Sequence, residues 1–81
     1  MDVEARLDEI NHILARASYA AAEEAAKKLW EIHDAHPSLF NDRAYSRLSY
    51  WRMADWTEDC IKDLTGCSRL VFAAHQASVV Q

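Results

Sequence analysis

One glycine and one proline in 81 residues set the first limit on this chain. Tight turns draw on those two residues above all others, so a meander of short strands lacks its turn chemistry and a few long helices remain. The apolar residues agree. Val3, Leu7, Ile10, Leu14, Ala17 and Ala21 follow a 4-3-4-3-4 spacing, and Ala25, Leu29, Ile32 and His36 continue it in near register. That is one helical stripe. Ser18 can cap a helix, yet no residue near it interrupts the pattern, so the spacing predicts a single helix from Asp2 to about Ala35.

His36-Pro37-Ser38-Leu39-Phe40-Asn41 is the clearest punctuation. Proline pushes the residue before it out of helical geometry, and Asn41 can cap a helix opening at Asp42. Beyond it Ser46, Tyr50, Met53, Thr57, Cys60, Leu64, Cys67, Val71, Ala74 and Ser78 keep a 4-3 alternation that crosses Gly66 in phase. The expected fold is therefore all-α: a long antiparallel hairpin of helices 2–35 and 42–80, with Gly66 as the one place for a break, in a single domain spanning 1–81. Each helix would be roughly 50 Å long. Folding the pattern about residue 39 sets Tyr50 near Leu29, Leu64 near Leu14 and Val71 near Leu7.

Apolar residues make up 51% of the chain, which is high for so small an interior. Trp51 falls in phase with Ala44 and Leu48, away from the face that carries Tyr45, Met53 and Trp56. On the first helix Ala15, Tyr19, Ala22, Ala26 and Trp30 form a second stripe beside the seam. One partner helix cannot cover both stripes. The sequence thus marks Trp51, Leu48, Ala44, Tyr19 and Trp30 as an interface, with a protein partner or in a homo-oligomer, a dimer first, that completes a multi-helix bundle.

The formal charge of −4 argues against a dedicated nucleic-acid binder. A transcriptional regulator fits poorly for the same reason. The first residues show no basic stretch followed by an apolar one, and no apolar run is long enough to span a bilayer, so the expectation is a cytoplasmic protein. Cys60 and Cys67 on one helix would sit roughly 10 Å apart along the axis, beyond the roughly 7 Å that a disulfide can bridge. Both are expected as buried free thiols.

Catalytic and metal signals are sparse. Glu9 and His12 match Glu-x-x-His, but di-iron bundles need two copies and further carboxylates. His33 and His36 lie one turn apart, short of the four ligands of a structural zinc site. No nucleophile elbow or phosphate-binding glycine loop is present. Neither metal nor cofactor is expected, nor an enzyme. The expected role is a helical interaction protein that binds a larger protein and inhibits or adapts it, as small proteins of phages and other mobile elements often do. A binder of a nucleotide signal is the alternative, with Lys27, Lys28 and Arg47 as anionic-ligand contacts beside Trp51.

Overall fold

A computed structural model of the chain describes residues 1–51 and 58–79. Four α-helices and no strand occur among them: α1 Val3–Leu14, α2 Tyr19–Ala35, α3 Asp42–Tyr50 and α4 Glu58–Val79. The all-α class read from the turn-poor sequence holds. The division into two long helices does not. A hairpin of roughly 50 Å helices cannot fit a molecule whose longest extent is 40 Å.

The first correction lies between Leu14 and Tyr19. The Arg16 and Ala17 N–H groups close tight i→i−3 bonds to Ile13 and Leu14, both at 3.1 Å. Ala17 then adopts φ +51°. An L-residue in the left-handed region costs about 1–2 kcal/mol. Ser18 offsets part of this, because its Oγ accepts the Ala21 N–H at 3.1 Å and caps α2, an interaction worth about 1 kcal/mol. The rest comes from burial. By turning back, α1 lays Val3, Leu7, Ile10, Ile13 and Leu14 against α2 and α4.

The turn at Pro37 is as the sequence predicts. His36 leaves helical geometry, Pro37–Leu39 makes one 3-10 turn that buries Leu39, and Asn41 caps α3 through a 2.9 Å bond from the Ala44 N–H to its Oδ1.

The second correction concerns residues 42–80. Helix α3 ends at Tyr50 and packs along α4 rather than continuing into it. A methyl group at residue 66 would come within 2.7 Å of Arg47 Nη1. On one straight helix those residues would stand roughly 28 Å apart. Gly66 breaks nothing, since α4 runs through it uninterrupted. Tyr50, expected on the seam, is 59% exposed, and Tyr45, expected on the core face, is likewise exposed. Met53, Trp56 and Thr57 lie outside the described residues.

The buried side chains form one continuous cluster drawn from all four helices. Helix α2 contributes both of its stripes, Ala21, Ala25, Leu29 and Ile32 together with Ala22 and Ala26. The α2 alanines of the face that one neighbour could not cover are covered by several within the chain, while Tyr19 stays exposed and Trp30 half-buried. Helices α1 and α4 run antiparallel: the Ser68 hydroxyl donates to Asn11 Oδ1 at 2.9 Å, and the Gln76 amide donates to Glu4. That is the register expected for Leu64 with Leu14 and Val71 with Leu7. No helix among the described residues is long and apolar enough to cross a membrane.

Candidate functional site

Where α2 ends and α3 begins, three aromatic side chains gather around one imidazole. The His33 ring lies 5.4 Å from that of Trp30, 5.1 Å from Phe40 and 5.5 Å from Tyr45, the first two edge to face. Trp30 and Tyr45 also meet each other at 5.9 Å and 88°. The Pro37 turn dictates this gathering. It reverses the chain within a few residues, so that Trp30 and His33, one turn apart on α2, face Phe40 beyond the turn and Tyr45 in the first turns of α3. Offset and edge-to-face ring pairs add about 0.5–1.5 kcal/mol each beyond their buried area, enough to fix the rings relative to one another.

The cluster is nonetheless open. Tyr45 is 45% exposed, and Trp30, His33 and Phe40 are half-buried. His33 Nδ1 has no hydrogen-bond partner among the described residues, and the nearest carboxylate oxygen, Asp34 Oδ1, stands 3.9 Å away. That distance is too long for a hydrogen bond.

The interface residues marked by the sequence separate into two groups. Trp51, Leu48 and Ala44 are core residues, 2%, 1% and 0% exposed, which corrects their expected position on an open face. The reason is the end of α3. Because the helix stops at Tyr50 and lies against its neighbours, the arc that would face water on a long helix faces the interior. Trp51 caps α3, its carbonyl accepts the Cys60 thiol at 3.3 Å, and its ring meets Tyr19 at 6.1 Å. Tyr19 is exposed and Trp30 half-buried, so these two remain within reach of a partner.

Lys27, Lys28 and Arg47 do not form the expected group. Lys27 is exposed. The Lys28 ammonium turns to α1 and bonds Glu9 at 2.9 Å, holding that carboxyl below its ordinary value. Arg47 lies across α4 over Gly66, 3.9 Å from Asp63. With Trp51 enclosed, no stacking platform stands beside them.

The metal-like pairs are equally dispersed. Glu9 serves Lys28 and Arg6, and His12 Nδ1 meets the Asp8 carbonyl at 2.8 Å. His33 is enclosed by rings, and His36 caps the end of α2. Among the described residues no group of three or more His, Cys, Asp or Glu is placed to hold a metal ion. Cys60 and Cys67 are buried free thiols, as the spacing predicted. Burial pushes the Cys67 thiol up to about 12, against a smaller opposing pull from Arg47.

Sequence reasoning missed His33, Phe40 and Tyr45 as one surface. The available signal was the pair Trp30 and His33 at i, i+3 on one side of Pro37, with Phe40 and Tyr45 close on the other. No known protein family matches the chain, and neither a curated protein nor a solved structure matches it.

Proposed function

We propose that this chain is a non-enzymatic interaction protein that binds a larger protein, inhibiting or adapting it, and that it docks through Trp30, His33, Phe40 and Tyr45. The observation that carries this is an exposed Tyr45 packed on Trp30 and His33, rings that already hold each other, with Phe40 against the same imidazole. Prepacked aromatics of this kind act as anchors in protein interfaces, because little rotamer freedom is left to lose on binding. The catalytic side offers nothing comparable among the described residues.

Self-association rests on narrower ground than the apolar spacing alone implies. The Trp51 arc and the Ala22 and Ala26 part of the second stripe, which called for another copy, are buried inside the chain, while Tyr19 stays exposed and Trp30 half-buried. Among the marked residues, those still open to a second copy are Tyr19 and Trp30, the latter in the ring cluster.

The test is capture of a partner from the source cells by immobilised chain, with Tyr45→Ala and Phe40→Ala as paired variants. Loss of about tenfold or more in affinity, matching the 1.4 kcal/mol or more of an interface anchor, with helix content unchanged by circular dichroism, supports the reading. Undiminished capture by both variants rejects this surface as the docking site.

A further inference from the structure

On a chain of net charge −4 one cleft runs against the balance. It measures about 380 Å³ and is lined by Arg47, Ile61, Lys62, Thr65, Gly66 and Arg69: three cations, a hydroxyl and no carboxylate. Lys62, Thr65, Gly66 and Arg69 follow the i, i+3, i+4, i+7 spacing that puts residues on one face of a helix. Arg47 arrives from α3 and lies over Gly66, where a Cβ would stand 2.7 Å from its Nη1 and make the guanidinium shift. A neighbouring cleft of about 460 Å³ shares Ile61, Thr65 and Arg69 and adds Asn11, Leu14 and Ala15, again without a carboxylate.

We propose that these two clefts bind an organic phosphate, with the phosphate on Arg47, Lys62 and Arg69 and the organic body over Ile61 and Leu14. Two planar guanidinium forks and an ammonium suit a dianion with three acceptor oxygens better than a carboxylate, which a single arginine can satisfy. The internal competition is weak. Asp63 stands 3.9 Å from Arg47 and Asp59 stands 3.8 Å from Lys62, well beyond the roughly 2.7–2.9 Å of a charge-assisted hydrogen bond. Arg69 makes no ion pair among the described residues. Asn11 spends its Oδ1 on Ser68, so its NH₂ group is the end that can donate to a ligand. Arg47 thus keeps the anion-binding part the sequence suggested, in the company of Lys62 and Arg69 instead of Lys27 and Lys28.

The experiment is an amide chemical-shift titration of the full chain at low ionic strength, with inorganic phosphate, adenosine monophosphate and glucose 6-phosphate, and sodium chloride at matched ionic strength. The expected result is saturable shifts at Lys62, Thr65, Gly66 and Arg69, with an organic phosphate binding more tightly than inorganic phosphate. Arg69→Gln weakens that binding by about tenfold, the usual effect of removing a charged hydrogen bond. Gly66→Ala does the same by displacing Arg47 while favouring the helix, and Arg47→Gln stands in for it should the crowded variant unfold. Shifts no different from those in chloride overturn the site. So does saturable binding that Arg69→Gln and Arg47→Gln both leave within twofold. Tighter binding of a phosphoserine peptide or a single-stranded oligonucleotide than of either monophosphate overturns the small-molecule assignment.

Discussion

Helices α2 and α3 meet through rings at both ends, and the two meetings have opposite fates. At one end Trp51 packs beneath Tyr19 and is 2% exposed; at the other Tyr45 packs on Trp30 and His33 and is 45% exposed. Residue type does not distinguish them, since both ends join a tryptophan to a tyrosine. Position in the fold does. Trp51 follows the last turn of α3 and has its carbonyl bonded by Cys60 of α4, whereas Tyr45 sits in the first turns of α3 against the last turns of α2 and keeps 45% of its surface exposed. An aromatic residue next to charged neighbours in a sequence therefore says little about a binding surface until the element that covers it is known.

Four measurements would break or sharpen that contrast. The largest effect is expected from Trp51→Ala, which empties a sealed core site and should cost about 3–5 kcal/mol in equilibrium unfolding. A loss below about 1 kcal/mol would mean the ring is not enclosed. Cys60→Ala should cost about 1–3 kcal/mol, because it removes buried volume and leaves the Trp51 carbonyl without its thiol donor; thermal unfolding reads this directly. Tyr45→Ala should cost no more than about 1 kcal/mol, since half of its ring already faces water. If it destabilised the chain as much as Trp51→Ala, the open end would be structural and the proposed anchor would lose its ground. The smallest change is expected at Ser49, between the two ends on α3. Its buried hydroxyl has no hydrogen-bond partner among the described residues, so Ser49→Ala should be neutral or stabilising by about 0.5–1 kcal/mol. A clear loss in denaturant midpoint would reveal a partner for that oxygen.

The thiols supply a pH signature. With Cys67 pushed up to about 12 from its ordinary value near 9, the unfolded chain releases that proton first as pH rises. Between those values the folded state binds the extra proton, so this group lowers stability by up to about 1.4 kcal/mol per pH unit. Cys67→Ala should remove that share of the alkaline slope, seen as a shallower fall of the denaturation midpoint above pH 9.

Much of this fold was written in the residues. Pro37 and Asn41 set the central reversal, because proline disfavours helix at the residue before it and asparagine accepts the Ala44 N–H, one of the free donors in the first turn of the next helix. The register of α1 on α4 follows from apolar spacing alone, and so does the burial of both thiols. The turn at Ala15–Ser18 was not legible, for Leu14, Ala17 and Ala21 keep helical phase across it and alanine gives no local reason to leave a helix. Long-range packing imposes it. The end of α3 was hidden in the same way, and with it the enclosure of Trp51, Leu48 and Ala44. Of the candidate site, Trp30 and Tyr19 could be read as surplus to one seam. His33, Phe40 and Tyr45 could not, because their grouping depends on how sharply the Pro37 turn closes.

The left-handed residue at Ala17 is the point on which the placement of α1 depends. A right-handed backbone there would let α1 and α2 run on as the single helix their spacing allows, and would carry Val3, Leu7 and Ile10 away from α4. One dihedral angle, with the Ser18 cap on one side of it and the five buried side chains of α1 on the other, thus decides where the first helix lies.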